Sequence, residues 1–172
     1  MAELEPLKPI DIVVALRLAE APAEKYAQLG ADLGISSSSA HKAVRRLEAA
    51  GLLRPGTRAV NRLAFREFLE HGVRYAFPAR PGAEAKGVPT AHAAPPLSHH
   101  IVSAYAYVWP SVAGPASGQS VAPLYRAAIH LPERCPSVYE SLALVDALRV
   151  GRARERKLAA EALAEKLKAT AA

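Results

Sequence analysis

The stretch GISSSSAHKAVRRLEAAGLL, residues 34–53, decides how the N-terminal part of this chain folds. Its four serines could mark a flexible linker, but apolar residues follow them at once with helical spacing. Ser36 stands two residues after Gly34, where the first turn of a helix needs an acceptor for its free amides. The stretch therefore predicts a helix over residues 37–50 that is capped by Ser36 and ended by Gly51.

The predicted helix has two chemically different faces. One is small and apolar, as a core-facing surface should be. The other carries hydroxyl, imidazole and cationic groups, which can bind base edges or phosphates. A helix that enters the DNA major groove presents its N-terminal half in this way. The apolar face consists of Ala40, Ala43, Val44 and Leu47, and the polar face includes Ser38, His41, Lys42 and Arg45.

Most of the net charge of the chain lies close to this helix. The 172 residues carry a formal charge of +6, and residues 42–62 alone contain six basic side chains and a single acid, Glu48. A basic surface of this kind indicates an anionic partner, with nucleic acid as the first candidate. The alternative is a solvated helix face without a ligand, although such faces usually mix acidic and basic residues.

Further elements are predicted on both sides of this stretch. Glycines at helix ends, an asparagine cap and a Pro-Gly turn provide the boundaries. Alternating apolar residues after the last of these glycines favour a strand. The predicted elements are helices over 8–20 and 23–33, a hairpin tip over 54–58, a helix that Asn61 caps and Gly72 ends, and a strand through Val73, Tyr75 and Phe77.

The pattern L-G-I-S-x-S-x-x-H-K-x-V-x-x-L-E-x-x-G-L-L over residues 33–53 resembles the helix-turn-helix of winged-helix regulators of the MarR and IclR kind. The following RPGTRAV resembles a short wing, and the likeness covers about residues 8–62. It implies a transcriptional regulator that binds double-stranded DNA, as a homodimer, in a bacterial cytoplasm. The expected DNA contacts are Ser36, Ser37, Ser38, Ser39, His41, Lys42, Arg45 and Arg46 from the helix, and Arg54 and Arg58 from the wing.

The composition of the chain changes near residue 78. Ten of the 14 prolines lie between Pro78 and Pro136, and proline breaks helices because it lacks an amide donor. Loops, turns and short strands are therefore predicted in this middle segment. Helices follow it, with Ser137 as the expected cap of the first and Gly151 as an interruption.

The expected fold class is mainly α with small β content. An N-terminal winged helix-turn-helix occupies residues 1–77, and residues 78–172 form a Pro-rich extension with C-terminal helices. That extension is expected to pack on the first part, to dimerise or to bind a partner protein. An adaptor or antitoxin-like interaction protein that uses residues 78–172 is the alternative function.

No enzymatic activity, metal or cofactor is predicted. Paired zinc-ligand spacing is absent from the sequence, as are a nucleophile elbow and a phosphate loop. The single cysteine, Cys135, fits a reducing cytosol and is either a redox sensor or an inert thiol. No run of residues approaches the roughly 20 apolar positions that a membrane span needs. The histidines considered as ligands are His92, His99, His100 and His130.

A second basic cluster near the C-terminus leaves two interpretations open. Residues 149–157 contain five basic side chains and one acid, Glu155. The cluster is either a second surface for phosphates or an acidic partner, or a solvated helix with Asp146–Arg149 and Arg152–Glu155 pairs.

Overall fold

The computed structural model describes residues 4–23 and 25–169, and the predictions that fall on residues 1–3, 24 and 170–172 lie outside it. The N-terminal helices form where their caps and apolar spacing predict them, within a few residues. The second begins later than expected, after the lysine at position 25. The helices are α1 (Pro9–Glu20), α2 (Tyr26–Leu33), α3 (Ser37–Ala49), α4 (Arg62–His71) and α5 (Val73–Ala76).

Helix α1 lies in the centre of the molecule. Every residue from Asp11 to Leu16 is buried, since α1 packs against α3 and also against the C-terminal helix that contains residues 136–150. A helix that is apolar around most of its circumference needs such neighbours on several sides.

A short hairpin joins α3 to α4. Leu53 and Val60 form one antiparallel bridge, and the amide of Arg54 donates to the carbonyl oxygen of Ala59 at 2.8 Å. Gly56 takes a left-handed conformation, with φ of 71°, as a tight turn requires. The hairpin predicted from the Pro-Gly signal is therefore confirmed.

The predicted strand through residues 73–77 is wrong. These residues continue from α4 almost without a break as α5, because Gly72 keeps a right-handed conformation. Val73 is buried and Tyr75 is exposed, and the ring of Phe77 packs edge-on against Phe68. Alternation over five residues suits a single helical turn as well as a strand, which explains the error.

The middle segment contains a small sheet that closes on itself. Strand β1 (Glu84–Thr90) pairs antiparallel with both β2 (Tyr107–Pro110) and β3 (Ala116–Ser120), while β2 and β3 run parallel to each other. The strands cross so closely that a Cβ atom on Gly87 would collide with the carbonyl oxygen of Trp109. The prediction of short strands in this region is confirmed, and the fold is mixed α and β.

The C-terminal region consists of α6 (Leu131–Arg134), α7 (Pro136–Val150) and α8 (Ala153–Ala169). The predicted interruption at Gly151 is confirmed. Ser137 is not the cap of α7, because the helix starts one residue earlier. Its hydroxyl instead donates to the carboxylate of Glu20 at 2.7 Å.

Residues from both parts of the chain share one hydrophobic core. The buried cluster extends from Ile12 in α1 through α7 to Leu163 and Leu167 in α8. The apolar side of α8 is therefore largely buried within the chain. The division into residues 1–77 and 78–172 stays a prediction.

A buried carboxylate organises the C-terminal part. Asp146 is fully buried and accepts hydrogen bonds from Thr90 Oγ1 at 2.7 Å, Trp109 Nε1 at 2.6 Å and the Arg149 guanidinium at 2.7 Å. Burial raises the pKa of Asp146, and these three donors oppose that shift. The predicted Asp146–Arg149 pair is confirmed. Asp146 also joins α7 to β1 and β2 through its hydrogen bonds with Thr90 and Trp109.

Replacing this carboxylate should weaken the fold substantially. We expect Asp146→Leu to lower the free energy of unfolding by about 3–5 kcal/mol, because it leaves a buried guanidinium and two further donors without their acceptor. Urea denaturation followed by the fluorescence of Trp109, the only tryptophan, measures the change. Exposed Glu161 provides the control, with Glu161→Gln changing stability by less than about 0.5 kcal/mol. A loss below about 1 kcal/mol for Asp146→Leu would contradict this role.

Candidate nucleic-acid interface

The start of α3 is built as the serine run predicts. Ser36 is the N-cap, and its Oγ accepts the backbone amide of Ser39 at 3.0 Å. The Ser36 hydroxyl also donates to the hydroxyl of Ser39 at 2.8 Å. Ser37 and Ser38 are exposed on the first turn. Two hydroxyls therefore hold the cap, and the other two point to solvent beside the helix N-terminus.

The turn that precedes α3 depends on two glycines. Gly34 ends α2 in a left-handed conformation, with φ of 70°, as predicted. The amide of Ile35 donates to the carbonyl oxygen of Gly30 at 2.9 Å. A Cβ atom on Gly30 would lie 2.6 Å from the carbonyl oxygen of Ile35, so a side chain there would force the turn open. The role of Gly30 was not predicted from the sequence, since only its contact with the next turn reveals its importance.

The two faces of α3 are separated as predicted. Its four apolar side chains are almost fully buried, and His41, Lys42 and Arg45 are exposed. The exposed face thus combines hydroxyl, imidazole, ammonium and guanidinium groups over the first three turns. These groups can donate hydrogen bonds to phosphate oxygens or to acceptors on base edges.

Arg46 does not belong to this exposed face. The expectation that it contacts DNA is wrong, because its side chain is buried. Its side chain is only 6% exposed, and its Nη2 and Nε atoms donate to the two carboxylate oxygens of Asp11 at 2.6 and 2.8 Å. The backbone amide of Lys8 donates to the same carboxylate at 2.8 Å. Hydrogen bonding to Asp11 raises the pKa of Arg46, so the guanidinium stays charged inside the protein. Arg46 anchors α3 to α1.

The hairpin carries two arginines, one of them exposed and the other in contact with the protein. Arg54 is exposed. Arg58 is half-buried, lies 5.0 Å above the ring of Tyr26 and donates to the carbonyl oxygen of Ala23 at 3.1 Å. The same tyrosine ring packs edge-on against His41 at 4.9 Å between ring centres. Arg58 thereby connects the hairpin to α2. Tyr26 contacts both His41 and Arg58, and the sequence did not predict a role for it.

The acid within the basic segment has a structural role. Glu48 Oε1 accepts the backbone amide of Gly56 at 3.0 Å, so it ties the hairpin tip to the end of α3. Glu5 lies on the other side of α3, 3.3 Å from Arg46 Nη1. Leu4, Glu5 and the exposed face of α3 enclose a groove of about 440 Å³. Lys42, Arg45 and part of Arg46 line this groove.

The remaining candidate residues do not form a second site of this kind. His92 is buried with Nε2 at 2.7 Å from the carbonyl oxygen of Tyr105, whereas His99, His100 and His130 are exposed. Within the described ranges, no three side chains of His, Cys, Asp or Glu converge as metal ligands would. Burial raises the pKa of the Cys135 thiol, which disfavours the reactive thiolate.

The second basic cluster is partly used inside the protein. Arg149 binds Asp146 and donates to the carbonyl oxygen of Phe77 at 2.8 Å. The expected Arg152–Glu155 pair takes another form, because the backbone amide of Arg152, not its guanidinium, donates to Glu155 at 2.7 Å. Arg154 and Lys157 are exposed. Fewer cations of this cluster are therefore available to a ligand than the sequence indicates.

Comparisons of the chain with protein-family models, with curated proteins and with solved structures find no match. The helices in the described part of the chain do not include one whose length and apolar character would let it cross a membrane. The proposals on function below therefore rest on the geometry around α3.

The Asp11–Arg46 pair should behave as one unit in a double-mutant cycle. We expect Asp11→Leu and Arg46→Met each to lower the free energy of unfolding by about 3–5 kcal/mol, since each removes the partner that makes two hydrogen bonds to a buried charge. The double variant should lose less than the sum of the two, by about 1–3 kcal/mol. Thermal and urea unfolding followed by circular dichroism measure these values.

Arg45→Met is the matched control for this cycle, because Arg45 is adjacent in sequence and exposed. Its effect on stability should stay within about 0.5 kcal/mol. Additive losses in the double variant would show that the two side chains do not depend on each other.

Proposed function

We propose that this protein binds double-stranded DNA through α3 and regulates transcription, with residues 8–62 acting as a winged helix-turn-helix. The observation that carries the proposal is the exposed face of α3. Its serines, His41, Lys42 and Arg45 all face solvent on a helix whose opposite face is buried in the core. An anionic ligand can therefore reach every donor on this face without any rearrangement of the core.

The major groove of B-DNA suits such a helix in shape and in chemistry. The groove is about 12 Å wide, which admits one α-helix. The hydroxyls of Ser37 and Ser38 lie beside the free amides of the first turn, where phosphate oxygens bind favourably. Lys42 and Arg45 follow one and two turns later and can pair with guanine or with the phosphate backbone.

The hairpin is the proposed wing. Arg54 is exposed at its base and can contact a phosphate next to the groove that α3 occupies. Arg58 acts mainly through its stacking on Tyr26, which fixes the position of the hairpin relative to α2. The proposed contact set is therefore Ser37, Ser38, His41, Lys42, Arg45 and Arg54, with Ser36 and Ser39 forming the cap.

Regulators of this kind commonly act as dimers, and we propose the same for this chain in the cytoplasm. Two copies of α3 would then occupy successive major grooves, about 34 Å apart along the DNA. Sedimentation of the protein with and without a duplex distinguishes one copy from two on the DNA.

Removing two exposed cations from α3 tests the proposed interface. We expect Lys42→Ala with Arg45→Ala to weaken binding to a labelled duplex at least about tenfold and to reduce the slope of log K against log salt by about 2, since each cation displaces a counterion. Fluorescence anisotropy over a series of salt concentrations gives both values.

Arg154→Ala with Lys157→Ala on α8 removes the same charge from the second basic cluster and serves as the control. This variant should retain nearly the full affinity and salt slope. Unchanged binding by the α3 variant would exclude α3 as the interface, and equal losses in both variants would indicate a diffuse charge effect.

An interaction protein is the second candidate. Val102 and Tyr105 are exposed in the loop between residues 100 and 106, at 102% and 71%, and a protein partner would bury them. Recovery of a stoichiometric protein partner together with an absence of affinity for genomic duplexes would favour this function over DNA binding.

A further inference from the structure

A cleft of about 400 Å³ lies in the C-terminal part of the chain and is formed without any residue of α3. Its walls come from β1, from the connection between β2 and β3, from residues 129–133 and from α7. Sites for small molecules typically enclose about 300–1,000 Å³ and combine apolar walls with a few polar groups. The cleft fits this description in size.

The walls of the cleft are mostly apolar. Pro89, Pro115, Pro132 and Ile129 line it, together with the ring of Tyr139. The Tyr139 hydroxyl donates to the carbonyl oxygen of Pro89 at 2.7 Å, and burial raises the pKa of Tyr139 to about 12, so this donor stays protonated at neutral pH. Proline rings and a fixed aromatic ring favour a ligand with a flat apolar body.

The charged side chain on the cleft is acidic and favours a cationic ligand. Among the described residues that line it, Glu133 is the only one with a formal charge at neutral pH, and it is exposed at the rim. His130 lies beside it on the same wall, and an imidazole can accept a hydrogen bond from an ammonium group. A negative group at the mouth of this cleft contrasts with the +6 charge of the whole chain. An amine attached to a flat apolar body therefore complements both the walls and the rim.

The segment that carries Glu133 also contacts the C-terminal end of α2, next to the turn that precedes α3. The hydroxyl of Tyr125 donates to the carbonyl oxygen of Leu33 at 2.9 Å. Arg134 Nη1 lies 3.4 Å from the carbonyl oxygen of Ala31, and it would lie 3.0 Å from a Cβ atom on Gly34. The segment 125–134 thus contacts the cleft on one side and the α2–α3 turn on the other.

We propose that this cleft is an effector site for a small organic cation with a flat apolar body, and that a bound cation changes the affinity of α3 for DNA. A ligand that shifts segment 125–134 acts on a turn that sets the position of the α3 N-terminus. Linkage then requires that DNA change the affinity for the cation by the same factor. The regulatory part of this proposal rests on the proposed function, whereas the binding of the cation does not.

Two probes of similar shape and opposite charge test the site on the full chain. Phenethylamine should change the fluorescence of Trp109 in a saturable manner, because Trp109 packs against the Tyr139 ring at 5.7 Å. The carboxylate 3-phenylpropionate should bind at least about tenfold more weakly, since it would meet Glu133 with like charge. Calorimetry of both titrations confirms the binding constants.

Two variants locate the binding. Glu133→Gln should abolish the preference for the amine, and Ala113→Phe should remove the binding of both probes by filling the cleft from an exposed position. Glu161→Gln on α8 is the control and should bind as the unmodified chain does. Unchanged unfolding midpoints establish that the variants are folded. Absence of saturable phenethylamine binding, or binding that survives Ala113→Phe, overturns the proposed site.

Hydrogen exchange tests the coupling independently of DNA. Saturating phenethylamine should change the exchange rates of the Ile35 and Ser39 amides at least about twofold, and it should shift the duplex dissociation constant in anisotropy titrations. Unchanged exchange together with an unchanged dissociation constant overturns the regulatory role. If the chain binds no duplex under any condition, the proposed function is contradicted. The exchange measurement alone then shows whether the cleft is coupled to the start of α3.

Discussion

The buried ion pair between Asp11 and Arg46 fixes which side of α3 faces solvent. Two parallel hydrogen bonds join the guanidinium to the carboxylate, and the amide of Lys8 completes the arrangement. A buried pair of this kind adds little net stability, because desolvation offsets the attraction, but rotating α3 would leave both charges unpaired. The pair fixes the rotation of α3 about its axis, and at that rotation Lys42 and Arg45 are exposed while Arg46 is buried beside them. The candidate interface therefore depends on a contact at its edge.

Several basic residues of this chain bind groups of the same chain. The net charge therefore overstates how many cations are available to an anionic ligand. Arg46 binds Asp11, Arg58 stacks on Tyr26, and Arg62 donates to the carbonyl oxygens of Ala19 and Leu167. Arginine suits such roles because its planar guanidinium offers several donors in fixed directions. Of the six basic residues between positions 42 and 62, Lys42, Arg45 and Arg54 are the ones that the structure leaves exposed. An interface based on them extends from the middle of α3 to the base of the hairpin.

The sequence predicts features that depend on neighbouring residues better than features that depend on distant ones. Ser36, Gly34 and Asn61 act within four residues of their own positions, and the structure confirms their roles as helix ends. The faces of α3 follow from helical periodicity alone. The assignment of Arg46 failed because its partner lies 35 residues earlier in the chain, and no local pattern reveals that contact. The closed sheet and the cleft beside it depend on contacts between strands that lie far apart in sequence, and the pattern of residues does not specify which strands pair.

Helix α3 is held at two points that differ in how easily they can move. Near its C-terminal end, Arg46 is buried in an ion pair whose loss would expose two charges to an apolar interior. At its N-terminal end, α3 follows the last turn of α2, and Tyr125 and Arg134 each donate one hydrogen bond to a carbonyl oxygen of that turn, at or near the surface. Such bonds typically contribute about 0.5–1.5 kcal/mol each, so this end has the lower cost of displacement. A signal from the C-terminal part of the chain would therefore reach α3 through the turn, and it would act on the end where Ser37 and Ser38 are exposed.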